Sequence, residues 1–420
     1  PFLRNFRSAR DIVDSMVHFM DDVRVVFANN KSNETGPIET YEHAYYLEQE
    51  PEYAWVLNSD SYDRSSGGRR ALLYGVPEIP AGEDPRGSTA VAYNAGLYVL
   101  RSPGREGRER IQAVLKSGQY RKGREHQDDC SLLSLRRYGK AFHGPRTPDR
   151  DILERRIWMR RSPSHNMVTV DQSNQLGIDG AENLIFHEGT LFTAAASETH
   201  VTWNHRETPV RQRRFMIVTD DYVLIGDHIK TKENNGKEHE FDWLIHAGIF
   251  QELNAAKKEQ IDMEGKWGGF NKINNGDWYA YRSPVRARFA NKIGIMDVHI
   301  LWPSQGKLMI ADYPDTLSKG KRRNTLSIAS EGDEALYFTV IEPHEGDSVI
   351  EKAEALAEKN SLRIQLKDGR VHIVKIKGFS SEAKDPSMEV NLTEKKNGEV
   401  LRTEKADERF DANTEAWWKE

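Results

Sequence analysis

From Thr89 onward the chain is a succession of short apolar runs separated by turn residues, and this pattern constrains the fold more than any other feature. Arg214-Phe215-Met216-Ile217-Val218 and Tyr222-Val223-Leu224-Ile225 flank Thr219-Asp220-Asp221, the pattern of a β-hairpin. Val91-Ala92-Tyr93-Asn94 and Gly96-Leu97-Tyr98-Val99-Leu100 suit a buried strand pair or one long bent strand. Phe241 to His246, Val285 to Ala290 and Met296 to Trp302 add further strands, with Asn274-Asn275-Gly276-Asp277 read as a turn between them. Such spacing predicts an antiparallel sandwich.

The first part of the chain reads differently. Ile12, Val13, Met16, Val17, Phe19 and Met20 recur at helical spacing, which predicts an amphipathic helix over 8–24. A second helix is expected over 38–50, with Tyr41, Ala44, Tyr45 and Leu47 on one face. Pro51 interrupts it and Tyr53-Ala54-Trp55-Val56-Leu57 restarts it. Two helices joined by a short turn make an αα-hairpin, the unit of α/α toroids. Near the other end, Asp347 to Lys359 carries Ala and Leu at helical spacing, and Asp368-Gly369 between two apolar runs predicts a type I′ hairpin. The fold class is therefore α+β and mostly β. Residues 1–87 form the helical segment, 88–345 an antiparallel β-sandwich, and 346–420 a C-terminal helix with a small sheet.

A chain of 420 residues suits two or three domains. Its net charge of −5 gives no basic surplus for nucleic acid, while leaving room for a local basic groove. One cysteine, Cys130, excludes an internal disulfide and a cysteine metal cluster. No apolar run approaches the roughly 20 residues of a membrane span. The start, Pro1-Phe2-Leu3-Arg4, is neither an initiator Met nor a signal peptide, which suggests a mature or trimmed product.

Histidine is the informative residue type. His126-Gln127-Asp128-Asp129-Cys130 sets His126 and Asp128 two apart, and hence on one face of a strand. His165-Asn166-Met167-Val168-Thr169-Val170-Asp171 leads a polar pair directly into a buried strand, with Gln175 following. A satisfied structural histidine is the commoner reading of either run alone. His205 and His246 are candidates for a site edge. Arginines crowd the stretch from Arg101 to Arg161, either as a solvated face or as a groove for carboxylate or sulfate groups, which guanidinium binds bidentately. Trp158, Trp203 and Trp243 suit stacking on sugars or, more commonly, core positions. There is no phosphate loop, nucleophile elbow or H-E-x-x-H.

Taken in order, these segments resemble the C-terminal portion of the heparinase II/III-like polysaccharide lyases over roughly residues 40–345. Gly96-Leu97-Tyr98-Val99-Leu100-Arg101 is similar to that family's G-x-Y-x-x-R strand, and the His126 run to its H-x-H-x-D. Gly139-Lys140 is similar to its G-[RK] strand, and His165 to Asp171 to its H-N-T-V-x-V-D strand.

The resemblance implies β-elimination at a uronic acid of an acidic polysaccharide: a group neutralises the carboxylate, a base takes the C5 proton, and an acid serves the leaving oxygen. It implies His126 and Arg124 as catalytic, Arg124 standing where the family has its first histidine. An arginine there cannot act as a base but can neutralise a carboxylate. It further implies Arg101, Arg160, Asn166 and Gln175 at the substrate, and Zn2+ held by His126, Asp149 and His165, with His143 a rival to Asp149. The family's catalytic Asn and Tyr fall upstream of Pro1, so a separate N-terminal toroid fragment or a homo-oligomer is an expected partner. Neither nucleic acid nor membrane is expected as one. A periplasmic or secreted location is implied too. The alternative is a non-catalytic glycan-binding or scaffold sandwich derived from such a lyase.

Overall fold

The computed structural model describes residues 7–22, 24, 38–58, 78–92, 95–118, 129–143, 158, 160–203, 208–232, 238–254, 256–261, 270, 273–291, 294–314, 322–358, 360–381 and 387–410. Helix α1 spans Arg7–His18, α2 Ile38–Glu48 and α3 Pro51–Leu57. Val13 and Val17, one turn apart, pack with Tyr41, Tyr45, Tyr53 and Val56 of the other two helices. Pro51 does more than interrupt: it sits in the first turn of α3, where its missing N–H costs no helical bond. The chain reverses just before it at Gln49, which is left-handed at φ 55°.

The strands form four antiparallel sheets. A meander of β1 (Thr89–Ala92), β2 (Leu97–Arg101), β3 (Gln112–Lys116), β4 (Ser131–Arg137) and β5 (Lys140–His143) comes first. A six-stranded sheet contains β6 (Val168–Val170), β11 (His239–His246), β13 (Ala256–Ile261), β14 (Asn274–Arg282), β17 (Gln305–Pro314) and β18 (Arg322–Gly332). The eight-stranded sheet takes β7 (Gln175–Glu188), β8 (Thr193–Trp203), β9 (Thr208–Val218), β10 (Val223–Thr231), β12 (Ile249–Leu253), β15 (Val285–Ala290), β16 (Ile295–Trp302) and β19 (Glu334–His344). A second meander closes the chain: β20 (Ile350–Ala355), β21 (Ser361–Leu366), β22 (Arg370–Lys377), β23 (Glu389–Lys396) and β24 (Glu399–Ala406).

The eight-stranded sheet lies in the middle. Met216, Ile225, Val298 and Ile341 on one face join Trp243, Ile245, Leu308 and Ile328 of the six-stranded sheet and Leu100 and Leu115 of the first meander in one core. Phe215, Ile217, Leu224 and Val340 on the other face pack against Ile364, Val374, Ile376 and Leu392 of the C-terminal meander. This double burial is why β9 and β10 read as continuous apolar runs. Among the described residues, no helix is long and apolar enough to cross a membrane.

Three local expectations are corrected. The segment from Asp347 is strand β20, not a helix: a bulge between Ile350 and Lys352 turns Ile350 and Ala353, three apart, to the same buried face and so imitates helical spacing. Asn274 to Asp277 is no connecting turn but the bulged start of β14, with Asn275 left-handed at φ 52°. Asp368-Gly369 makes a hairpin of another type. Its loop is Lys367-Asp368-Gly369, only Gly369 is left-handed (φ 86°), and its N–H returns to Leu366 O at 3.0 Å.

The basic stretch is divided where it is described: Arg105 and Arg108 are exposed, Arg110, Arg160 and Arg161 half-buried, and the rest enclosed. Arg101, Arg136 and Arg137 are buried. Arg136 Nε donates to Asp21 Oδ2 at 2.6 Å, and Arg137 NH1 donates to Pro343 O at 2.8 Å. Arg121, Arg124, Arg146, Arg155 and Arg156 lie outside the described residues.

Candidate functional site

Four segments that are distant in sequence meet where β4, β6, β9 and β11 come together. Asn166, just before β6, pairs its backbone with Leu132 in an isolated bridge, Leu132 N–H donating to Asn166 O at 3.0 Å. Its side-chain Nδ2 donates to Leu132 O (3.2 Å), while its Oδ1 accepts the His246 N–H (2.8 Å). The Asn166 carbonyl also receives Arg214 NH1 at 2.6 Å. One asparagine thereby joins the first meander, the eight-stranded sheet and the six-stranded sheet.

Gln175 performs a parallel task. Its Oε1 accepts the Asp129 N–H (3.0 Å) and its Nε2 donates to Asp129 O (3.1 Å). Ser162 Oγ accepts the Gln175 N–H at 2.9 Å, and Asn174 Oδ1 accepts the Ser162 N–H at 3.1 Å. Between Asn166 and Gln175 the chain reverses through Asp171 and Gln172, both left-handed (φ 50° and 52°). His239 Nδ1 lies 2.9 Å from Asp171 Oδ2, and Gln172 Nε2 donates to Glu240 Oε1 at 3.0 Å, which supports this strained pair of residues. The chain that follows the His126 run is thus bound at Asp129 to the Gln175 loop and at Leu132 to the His-Asn segment.

His165 and His246 are both buried at this junction. His246 Nε2 faces the Pro163 carbonyl at 2.9 Å and must be the donor, since a carbonyl only accepts. Burial, with a smaller push from nearby His165, lowers His246 to about 3, so its ring is neutral at ordinary pH. The ring contacts Tyr313 (centroids 4.5 Å apart) and the edge of Trp158 (6.2 Å). Trp158 and Trp243 are core residues, as is Trp203.

Behind the junction lies a charged bridge inside the sandwich. Arg214 Nε and NH2 grip Asp227 Oδ1 and Oδ2 at 2.7 and 2.9 Å, and Trp243 Nε1 donates to Oδ2 at 2.9 Å. Burial raises the Asp227 carboxyl, against the opposing pull of the Arg214 fork and the indole N–H. Neither residue was singled out from the sequence, yet a signal existed. Once Val218 pairs with Val223 across the hairpin, Arg214 must face Asp227.

The expected site residues are distributed as follows. Asn166, Gln175, His165 and His246 are brought together. Arg160 is half-buried in the turn before Ser162. Arg101 is elsewhere and wholly enclosed: its Nε donates to Gln112 Oε1 (2.8 Å), NH1 to Gly87 O (3.2 Å), and NH2 to His18 O (2.5 Å) and Met20 O (3.2 Å). Even so, burial beside Arg86 and Arg110 lowers it only to about 9, and it stays cationic. Its donors serve the protein's own carbonyls. His126, Arg124 and Asp149 lie outside the described residues, as do His205 and the side chain of His143. Of the three implied zinc ligands, only His165 is therefore placed. Among the described residues, no group of three His, Cys, Asp or Glu donors within ligating reach of one another includes it. Cys130 is buried between Ser117 and Thr199, and burial pushes its thiol up to about 12, so it is no nucleophile.

The arrangement, an antiparallel sandwich between a helical segment and a C-terminal meander, is an architecture shared with solved polysaccharide lyases. The heparan sulfate lyase HepC from Pedobacter heparinus superposes with a TM-score of 0.57 at 13% identity, over 96% of this chain and 53% of that one. A heparinase III, with methylated lysines, superposes with a TM-score of 0.56 at 14% identity, over 94% of this chain and 50% of that one. The chain spans about half the length of these proteins, and what it shares with them is the fold. No protein-family model and no curated protein matches the sequence.

Proposed function

We propose that this chain is a polysaccharide lyase that cleaves a uronic-acid-containing acidic polysaccharide by β-elimination. The observation that carries the reading is the likeness to heparan sulfate lyases along nearly the whole chain. The binding of Asp129 to Gln175 and of Leu132 to Asn166 supports it, because it ties the described residues that follow His126 in sequence to the segment that carries His165 and Asn166. In this reading Arg124 neutralises the uronate carboxylate, which acidifies the C5 proton, His126 removes that proton, and the C4–O bond breaks as the C4–C5 double bond forms, water protonating the leaving oxygen. Arg160 contributes charge at the substrate. The buried Asn166, Gln175 and Arg101 hold the strands in place.

Zinc held by His126, Asp149 and His165 belongs to the same proposal and would supply a fixed positive charge. A metal-bound imidazole is not a free base, so the two roles of His126 separate experimentally. His126→Ala abolishes turnover under either role, but lowers the zinc content only under the second. A periplasmic or secreted location, and a separate toroid fragment or second copy completing the site, complete the reading. The test is the rise in unsaturated-uronate absorbance when purified protein meets a panel of anionic polysaccharides. No rise on any of them, with or without such a fragment, overturns the proposal.

A second reading is favoured by one observation, the arginine at position 124 where the resemblance implies a histidine. It is a non-catalytic glycan-binding sandwich. Binding that weakens steeply with salt and is never followed by turnover selects it.

A further inference from the structure

On the face of the eight-stranded sheet turned toward the C-terminal meander, the sheet register sets two carboxylates opposite each other. Asp297 of β16 pairs directly with Glu342 of β19. His299 lies two residues beyond Asp297 and so shares its face. That face is otherwise apolar, with Leu301 and Val340 in the core beneath the meander. All three polar side chains are buried, and one ligand atom from each lies within 4.8 Å of the others.

The neighbours leave this trio incompletely satisfied. Arg288 Nε and NH2 donate to Asp297 Oδ1 and Oδ2 at 2.8 and 2.7 Å, which neutralises one carboxylate. His344 Nε2 stands 3.3 Å from Asp297 Oδ2, while its Nδ1 donates to Gly346 O at 2.6 Å. Glu342 accepts the Val349 N–H on Oε1 (2.5 Å) and the Ser348 hydroxyl on Oε2 (2.6 Å), both of them uncharged donors. His299 Nε2 lies 3.8 Å from Glu342 Oε2, too far for a hydrogen bond, and makes none elsewhere. Its side chain is only 10% exposed. A buried imidazole nitrogen without a hydrogen bond thus points at a buried carboxylate that no guanidinium holds.

From this geometry we infer that Asp297, His299 and Glu342 form a binding site for a divalent transition metal, zinc fitting best, that fastens β16 to β19 where the C-terminal meander begins. A cation bonded tetrahedrally at about 2.0–2.2 Å to each donor sets them roughly 3.3–3.6 Å apart, so the His299–Glu342 pair at 3.8 Å and the other pairs, all within 4.8 Å, close on it by inward shifts of about 1 Å or less. Ser348 has a second acceptor, Ile350 O at 3.1 Å, to which its proton can turn when Glu342 Oε2 takes the metal. One nitrogen and two carboxylate donors suit zinc. Calcium requires six to eight oxygens, which this enclosed site does not offer. The site shares no residue with the zinc set implied at His126, Asp149 and His165, and it does not depend on the lyase reading.

The test uses the full chain without a tag, stripped by a chelator and then dialysed against Zn2+ alone. Bound zinc is counted by elemental mass spectrometry in a His126→Ala/His165→Ala background, which removes the other implied ligands. One zinc per chain is expected there. It should be lost on adding His299→Ala or Glu342→Gln with the far-ultraviolet dichroism unchanged. Zinc should also raise the unfolding temperature of the native chain but not that of His299→Ala. If the double-variant background does not fold, the count is made on the otherwise native chain, where His299→Ala must lower the content by one. No zinc bound at a tenfold excess, or a count unmoved by both substitutions, overturns the inference.

Discussion

The two layers that flank the sandwich are attached by different means. The helical segment sits on the outer face of the first meander over a small apolar patch, with Phe19 against Leu97, Val99 and Val114. What holds it in register is guanidinium. Arg101 gathers the carbonyls of His18 and Met20, Arg136 binds Asp21, and Arg86 binds Asp22 (2.5 Å), Asp84 (2.6 Å) and Met20 O (2.8 Å). The Arg86 and Arg24 guanidinium groups also lie over the Trp55 ring, at 4.6 and 3.6 Å. The C-terminal meander, by contrast, docks through a broad apolar core. Its polar links are fewer beside that core: Arg213 NH1 donates inside to the Phe379 and Ser381 carbonyls (3.0 and 2.7 Å), Tyr222 meets His372, and at the rim Arg370 meets Asp221 at 2.8 Å and Glu404 the Thr190 N–H at 2.9 Å. Arginine clamps are directional and fail when one member is lost. Apolar burial is non-directional and weakens in proportion to the area removed.

Arg101→Met should break the contrast most visibly. It strands buried carbonyls and Gln112 without a donor, and should loosen the helical segment by about 3–5 kcal/mol. Hydrogen exchange at α1 and α3 should rise while exchange in the C-terminal meander stays unchanged. Equal protection in both forms would show that the clamp is not what holds the helices. Ile364→Ala, in the middle of the apolar interface, should cost about 2–4 kcal/mol. Denaturant titration should show this as a shifted midpoint, and further apolar truncations there should deepen the shift in steps.

Acid offers a finer probe. The Tyr222 hydroxyl lies 2.8 Å from His372 Nδ1, and His372 Nε2 lies 3.1 Å from Glu394 Oε2. A carboxylate needs a donor, so Nε2 carries the proton and Nδ1 accepts from the tyrosine: the neutral ring fits. Burial chiefly, with Glu394 opposing, holds His372 below its ordinary 6.5. A histidine lowered in the folded state contributes stability above its unfolded value and loses it as the pH falls toward the folded one. The C-terminal interface should therefore weaken below about pH 6.5, by on the order of 1 kcal/mol. His18 at the helical junction is lowered too, by burial, Arg101 and Arg86, and titrates with the same sign. His372→Gln isolates the C-terminal share: the variant should show a flatter pH dependence of the meander's unfolding, and an unchanged slope would assign the effect elsewhere.

The smallest effect is expected from Glu188→Gln. Glu188 accepts the Ser88 N–H (2.7 Å) and the Thr89 hydroxyl (2.9 Å) at an exposed edge where the first meander meets β7. Water replaces such bonds readily, so the cost should stay below about 1 kcal/mol and shrink in high salt. A larger loss would mean that the exposed edge, like the arginine clamp, carries directional weight.

Much of the fold was legible beforehand, for local reasons. Two apolar runs around the turn Thr219-Asp220-Asp221 placed β9 and β10, and helical periodicity with Pro51 placed the three helices. Errors arose where a bulge changed the period, as at Ile350 and Ala353, or where left-handed residues such as Asn275 sat inside a strand. At the site, the His165-Asn166 strand stood out because a polar pair entering an apolar run is conspicuous. The partners it meets, Leu132, Arg214 and the His246 backbone, come from three other strands, and little about any of them marks it as part of a junction.

The basic stretch shows the boundary most clearly. By itself, the sequence determined which residues alternate, where chain reversals fall and that many guanidinium groups lie between positions 101 and 161, because these depend on neighbours along the backbone. Whether those groups face solvent, a glycan or the inside was settled only when the helical segment folded back and presented Asp21 and the carbonyls of His18 and Met20 to Arg136 and Arg101. The pairing of Asp297 with Glu342 was likewise a product of strand register between segments far apart in the chain. A charge carries no record of its partner: desolvation and pairing are properties of what packs around it, and that is a tertiary decision.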